Sequence, residues 1–218
     1  MARPGDLDPR TAVVRRGYDE IADRFLAWGA KVVGDPRERF VESFAELLAP
    51  GARVLDLGCG AGVPTTRVLA EQFDVTGIDI SAEQIARARR NVPAATFLEG
   101  DIEAVAFPHG SFDGAAATYS ISHIPRARHA ALFCKISRWL VPGGVLLASL
   151  AAAGSPDWKG MWLGVPMFFS SHDAATNRRL LRAAGFDLVM DEIVTMREPE
   201  GEASFQWVLA RQAGAVGR

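Results

Sequence analysis

The chain has 218 residues, of which 49% are hydrophobic and 23% charged, and its formal net charge is −2. That length suits one large domain whose core needs no staple, and the composition excludes a disordered, collagenous or coiled-coil chain. The near-neutral charge leaves no electrostatic footprint for nucleic acid or an anionic membrane. Two cysteines, Cys59 and Cys134, make no disulfide framework. There is no CxxC or Cys/His cluster, so no metal is expected.

The opening MARPGDLDPR is charged, carries two prolines and lacks an apolar signal core, so a loose arm over 1–10 and a cytoplasmic protein are expected. The longest apolar run, Val145 to Ala153, is broken by Ser149. It is far short of the roughly 18 residues of a membrane span. From Pro9 to about Val33 the period is helical, with Val13, Tyr18, Ile21, Phe25 and Trp28 on one broad face. Asp35-Pro36 starts a second helix that runs to Leu48, and Pro50-Gly51 breaks the chain. The first fifty residues therefore read as a helical cap.

Arg53 to Leu57 is a short buried strand ending in a glycine turn, Gly58-Cys59-Gly60-Ala61-Gly62. A helix over Pro64 to Gln72 follows, then a strand (Phe73 to Asp79), a helix (Ser81 to Asn91) and strands at Ala94 to Gly100 and Phe112 to Thr118. A helix over Arg126 to Leu140, a turn at Pro142-Gly143-Gly144 and a strand at Val145 to Leu150 complete the alternation. Such alternation means βαβ units on a mostly parallel sheet. Residues 151–172 show no period and read as an irregular segment. A helix over Asp173 to Ala184 stops at Gly185, and strands near 186–196 and 203–210, joined by Glu198-Pro199-Glu200-Gly201, form an antiparallel hairpin at one sheet edge.

In open α/β sheets ligands bind beyond the carboxyl ends of the strands. The glycine turn stands there, and so do three acids at successive strand ends, Asp56, Asp79 and Asp101. Asp56, just before the first glycine, suits an ammonium group more than a pyrophosphate. Asp79 suits a ribose diol, or serves the next helix together with Ser81 as cap. Asp101 suits an adenine amino group, with Ile102 covering the ring. The turn departs from a dinucleotide fingerprint because Val63 takes the place of its third small residue.

VLDLGCGAG (54–62), GIDIS (77–81), GDIEAVAFPHGSFDG (100–114) and LVPGGVLLAS (140–149) together resemble the ordered motifs of class I S-adenosylmethionine-dependent methyltransferases, small-molecule branch. YDEIADRF (18–25) and AAGFDLV (183–189) extend the likeness toward both ends. The resemblance implies a Rossmann-like three-layer α/β sandwich with a seven-stranded, mostly parallel sheet whose last strand is antiparallel. It implies S-adenosyl-L-methionine as cofactor and S-adenosyl-L-homocysteine as product. Asp56, Gly58 and Gly60 would contact the methionine part, Asp79 the ribose, Ile80, Asp101 and Ile102 the adenine. Tyr18 matches an aromatic that closes over the cofactor, or else packs on the core.

Methyl transfer from a sulfonium needs proximity above all, and a base helps where the acceptor is a hydroxyl. His123, in the loop after the fourth strand, is the candidate base or a structural histidine. Tyr119 in the same loop touches the cofactor carboxylate or the substrate, or packs. His109 is expected in solvent, and His129 on the surface of a basic helix. Residues 151–172 carry Trp158, Trp162, Met167 and Phe169, which with His172 are the candidate substrate contacts. The segment is either a lid over an apolar or aromatic small-molecule acceptor or a packing or dimer surface, so monomer and homodimer both stay open. Arg197, Glu198, Glu200 and Glu202 on the last hairpin overhang the site or face solvent. A non-catalytic module that binds the same cofactor is the alternative, and a nicotinamide oxidoreductase is a more distant one.

Overall fold

A computed structural model describes residues 7–214. Most of the expected N-terminal arm lies outside the described residues. Two helices open the chain, α1 (Pro9–Gly29) and α2 (Arg37–Ala45). The α/β part follows as β1 (Arg53–Leu57), α3 (Thr65–Leu69), β2 (Asp74–Asp79), α4 (Ala82–Asn91), β3 (Thr96–Glu99), β4 (Phe112–Ala117), α5 (Arg126–Trp139) and β5 (Leu140–Ala151). It closes with β6 (Ser155–Trp162), β7 (Val165–Ser171), α6 (Ala174–Ala183), β8 (Phe186–Glu198) and β9 (Gly201–Gln212). The seven-stranded sheet has the order β3-β2-β1-β4-β5-β9-β8. Strands β1 to β5 pair in parallel, and β9 runs antiparallel to both of its neighbours. This is the Rossmann-like architecture the motifs imply.

Successive residues of β1 point to opposite faces, and each face carries its own core. Leu55 and Leu57 join Phe133, Ile136 and Leu181 from α5 and α6. Val54 joins Phe40 and Phe44 of α2, Leu69 of α3 and Trp207 of β9. Asp56 belongs to this second face, where Thr66 of α3 meets it. The indole of Trp207 is fully buried and stacks on Phe40 at 4.8 Å.

Several sequence expectations are corrected. Residues 151–172 are not irregular: β6 and β7 form a separate antiparallel hairpin, Trp162 opposite Val165. Its two-residue turn, Leu163-Gly164, has positive φ at both positions, the primed conformation that suits strand twist. The turn at Pro142-Gly144 lies inside β5 as an irregularity, since Phe112 pairs with Leu140 but Gly114 with Val145. His129 is 2% exposed, not on the surface, and its Nε2–H donates to the Ile124 carbonyl at 2.9 Å. His109 is exposed, as expected, beside Arg138.

Asp8 caps the α1 helix, its carboxylate accepting the Arg10 N–H at 2.8 Å. It packs on the β6–β7 hairpin through Val14, Ile21, Val165, Met167 and Phe168. Gly17 permits the close approach, because a Cβ there would stand 2.7 Å from the Met167 methyl. No helix among the described residues is long and apolar enough to cross a membrane.

Trp207→Ala is expected to destabilise the fold by about 3–5 kcal/mol, the usual range for deleting a buried aromatic. A denaturant midpoint unchanged from wild type would show that α2 is not packed on the sheet as described.

Candidate active site

The carboxyl ends of β1 to β4 open into one cavity of about 840 Å³, within the span of small-molecule sites. Every residue the sequence assigned to the cofactor lines it: Tyr18, Asp56, Gly58, Gly60, Asp79, Ile80, Asp101, Ile102 and Tyr119. His123, Trp162 and Phe169 line it as well. Three proposed substrate contacts do not. Met167 is fully buried behind the wall in the α1–hairpin core. Trp158 is 42% exposed and lies beside Phe169, its partner across the hairpin, with ring centroids 5.7 Å apart. His172 is held elsewhere, its Nε2–H donating to the Arg126 carbonyl at 3.0 Å beside a small second pocket.

The strand ends are held together at Gly58. Its N–H donates to the Ile78 carbonyl at 2.8 Å, and Ser120 Oγ donates to the Leu57 carbonyl at 2.7 Å. A Cβ on Gly58, whose φ is +77°, would stand 2.3 Å from Ser120 Cβ. Only glycine allows this approach.

Asp56 is 1% exposed. Its Oδ2 accepts the Thr66 hydroxyl at 2.6 Å, while Oδ1 is buried with no partner among the described residues. Burial pushes the carboxyl up to about 6, against the pull of the Thr66 hydroxyl and Arg37. Asp79 accepts the Gly60 N–H at 2.8 Å on one oxygen and the Ser81 N–H at 2.9 Å on the other. Burial lifts it to about 6 as well, with the two amides opposing and Asp19 adding to the rise. The Asp101 carboxylate accepts the Glu103 N–H at 2.8 Å.

Tyr119 stands at φ +58°, rare for a residue with a side chain. Ser149 Oγ accepts its N–H at 2.6 Å and Asp35 accepts its hydroxyl at 2.8 Å. The Arg37 guanidinium lies over its ring at 4.7 Å, bound to Asp35 at 3.1 Å, and Arg37 Nε is buried without a partner among the described residues. Sequence reading missed Asp35 and Arg37, because the Asp35-Pro36 signal marks only a helix start.

His123 donates from Nδ1 to the Phe168 carbonyl at 2.9 Å, because a carbonyl can only accept. Nε2 therefore carries the lone pair and accepts the Tyr18 hydroxyl at 2.8 Å. Burial pushes the imidazole down to about 4, so it is neutral near pH 7. Burial and Asp79 hold the Tyr18 phenol well above its usual range. Beyond this pair the wall is aromatic. Phe25 stacks on Trp28 at 6.0 Å, and Trp162 meets their edges at 5.8 and 5.4 Å. Of the last hairpin, Glu198 lines the cavity and Glu200 accepts the Trp28 indole N–H at 2.8 Å. Phe25 and Trp28 were legible only as a helix face.

The buried, unpartnered Asp56 oxygen, the unpartnered Arg37 Nε–H and the side-chain-free bend at Gly58 suit a ligand with an ammonium, a carboxylate and a close-lying chain. Those are features of S-adenosylmethionine, so the residues present fit the cofactor. Ionising Asp56 and Asp79 costs the fold stability, since each folded value lies above the ordinary 3.8. The folded state then holds its protons more tightly, and stability falls as pH rises from about 4 to about 6. Asp56→Asn is expected to raise the melting midpoint by several degrees at pH 7.5 and by little near pH 4, as a shift of about two units is worth about 3 kcal/mol. A lowered midpoint at pH 7.5 would contradict this.

The methyltransferase domain family matches residues 54–144. The chain is 40% identical over 110 residues to 2-methyl-6-phytyl-1,4-hydroquinone methyltransferase of Synechocystis sp., a match covering 48% of this chain and 33% of that one. It is 30% identical over 162 residues to the uncharacterized methyltransferase sll0829 of the same organism, covering 70% of this chain and 76% of that one. In fold it is similar to 1,6-didemethyltoxoflavin-N1-methyltransferase of Burkholderia thailandensis, solved with 1,6-didemethyltoxoflavin and S-adenosylhomocysteine, with a TM-score of 0.73 at 21% identity over 97% of this chain and 91% of that one. Motifs, sheet order, strand-end acids and the relative matched over three quarters of its length agree, and the chain belongs to the class I S-adenosylmethionine-dependent methyltransferases.

Proposed function

We propose that the protein, in the cytoplasm and without a nucleic-acid partner, transfers a methyl group from S-adenosylmethionine to an apolar or aromatic small molecule. One observation carries this reading: a single cavity joins the acid-and-glycine wall at the strand ends to the aromatic wall of Phe25, Trp28, Trp162 and Phe169. When bound, S-adenosylmethionine supplies an electrophilic methyl carbon on a sulfonium.

The residues of this chain have separable tasks. Asp56 Oδ1 takes the ammonium, and Arg37 Nε–H with the Tyr119 region holds the carboxylate. Asp79 binds the ribose, and Asp101, Ile80 and Ile102 frame the adenine. The β6–β7 hairpin acts as a lid, and its Trp162 and Phe169, with α1, exclude water and orient an aromatic ring. The match to a hydroquinone methyltransferase supports a ring acceptor of this kind.

Tyr18 and His123 serve the acceptor's proton. The Phe168 carbonyl fixes the His123 tautomer, and Nε2 is already engaged by Tyr18. A hydroxyl acceptor gives its proton to the Tyr18 oxygen while the Tyr18 proton passes to His123 Nε2. The acceptor oxygen takes the methyl group that the cofactor would supply, and the proton held at His123 Nε2 would pass back through Tyr18 to water that enters the cavity once the product leaves.

Three outcomes test the reading. Tyr18→Phe and His123→Asn are expected to lower turnover of a phenolic acceptor by about 10²-fold, the low end of general-base effects, with little change in S-adenosylhomocysteine affinity. Turnover equal to wild type in both would leave His123 structural. S-adenosylhomocysteine affinity, followed by calorimetry, is expected to strengthen from pH 5 to pH 7.5 as Asp56 and Asp79 ionise through about 6. A flat profile would remove both carboxylates from cofactor binding. Screening hydroquinones and phenols with labelled S-adenosylmethionine is expected to yield methylated product, and transfer only to short aliphatic acids would overturn the aromatic acceptor.

A further inference from the structure

The last hairpin brings to the cavity one carboxylate that no task assigned so far uses. The Val33 N–H donates to the Arg197 carbonyl at 2.9 Å, and the Arg197 N–H donates to the Val33 carbonyl at 3.0 Å. This bridge pins the link between α1 and α2 to the end of β8. Trp28 of α1, Asp35 of the link, Met196 and Glu198 of β8 and Phe205 of β9 then line the cavity together. Trp28 belongs to the aromatic wall, and Glu200, two residues beyond Glu198, accepts its indole N–H at 2.8 Å. Glu198 therefore stands beside the wall assigned to the acceptor.

The neighbouring charges are matched. Asp35 accepts the Tyr119 hydroxyl at 2.8 Å and pairs with Arg37 at 3.1 Å. Glu200 has the Trp28 indole. Arg197 is exposed and lies on the opposite face of β8 from Glu198, because strand neighbours alternate. Glu198 is half-buried, and its carboxylate has no hydrogen bond or ion pair among the described residues. Burial lifts this carboxyl above its usual range, and Glu200 and Asp35 add to the rise.

A partly desolvated carboxylate without a partner is costly, and a cation beside it removes that cost. Three carboxylates here, Asp35, Glu198 and Glu200, face one guanidinium, Arg37, which Asp35 already holds. An anionic acceptor is repelled from such a place. An aromatic ring bearing a protonated amine suits it, because the ring packs on the aromatic wall, the ammonium meets the carboxylate, and aromatic faces themselves attract cations. We propose that Glu198 is a specificity-determining residue for the acceptor, pairing with a protonated amine carried by the aromatic molecule that is methylated. This rests on the methyltransferase reading above and narrows its acceptor to a cationic one. The amine serves binding alone. Held as an ammonium its nitrogen has no lone pair, so the methyl group goes to the hydroxyl that Tyr18 and His123 serve.

The test compares kcat/KM for three phenols of similar size, tyramine, 4-ethylphenol and 3-(4-hydroxyphenyl)propionate, in wild type, Glu198→Gln and Glu198→Lys. Wild type is expected to prefer tyramine to 4-ethylphenol about tenfold, the low end for a hydrogen bond to a charged group, and to use the propionate least. Glu198→Gln is expected to lose the preference for tyramine, and Glu198→Lys to reverse it in favour of the propionate. No preference for tyramine in wild type would overturn the proposal, and so would the same preference in all three proteins, the mark of a merely structural side chain. Methyl found on the tyramine nitrogen would overturn it as well. If wild type binds S-adenosylhomocysteine and methylates none of the three phenols, the aromatic-acceptor reading falls instead, and this assignment with it.

Discussion

The contact between the end of β1 and the loop after β4 sets the rest of the site. Leu57 and Ser120 share a hydrogen bond of 2.7 Å, possible only because position 58 has no side chain to strike Ser120. With those two strands drawn together, the chain leaves the sheet in opposite directions on either side of them, and a crevice opens at their carboxyl ends. Asp56, Asp79 and Asp101 reach that crevice from three strand ends, and Tyr119 and His123 reach it from the fourth. A side chain at 58 would push the glycine turn away from Ser120 and disperse the polar wall.

That wall is built against the stability of the fold. Among the described residues, Asp56 has one oxygen without a partner, and Arg37 and Gln84 each have a buried N–H without one. Burial lifts both Asp56 and Asp79, so their ionised forms are strained until a ligand compensates. Local strain of this kind concentrates at binding sites, and Tyr119, held at positive φ by Ser149 and Asp35, adds to it. The opposite wall is stabilised by contact area, with Phe25, Trp28 and Trp162 packed on one another and α1 tied to the last hairpin through Trp28 and Glu200.

The order of strands and helices from Arg53 to Leu150 was legible because glycine, proline and the strand-end acids punctuate it. The antiparallel last hairpin was legible from Glu198-Pro199-Glu200-Gly201. The β6–β7 hairpin was not. Its turn is Leu163-Gly164 rather than an asparagine–glycine pair, and Pro156 and Pro166 interrupt the alternation. Met167 illustrates the consequence: it shares a strand face with Phe169 by period, yet Phe169 reaches the cavity while Met167 meets Gly17 of α1. An arginine-rich helix suggests an exposed His129, but the helix turns that residue toward the Ile124 carbonyl. Arg37 has no signal of its own in one sequence and gains its place from Asp35 and Tyr119.

The central claim is that the strand-end wall takes S-adenosylmethionine and not a dinucleotide. Calorimetric titration of the wild-type protein at pH 7.5 with S-adenosylhomocysteine, and separately with NAD, tests it most directly. The account predicts micromolar binding of S-adenosylhomocysteine and no heat of binding with NAD. Binding of NAD, or no binding of S-adenosylhomocysteine, would contradict it.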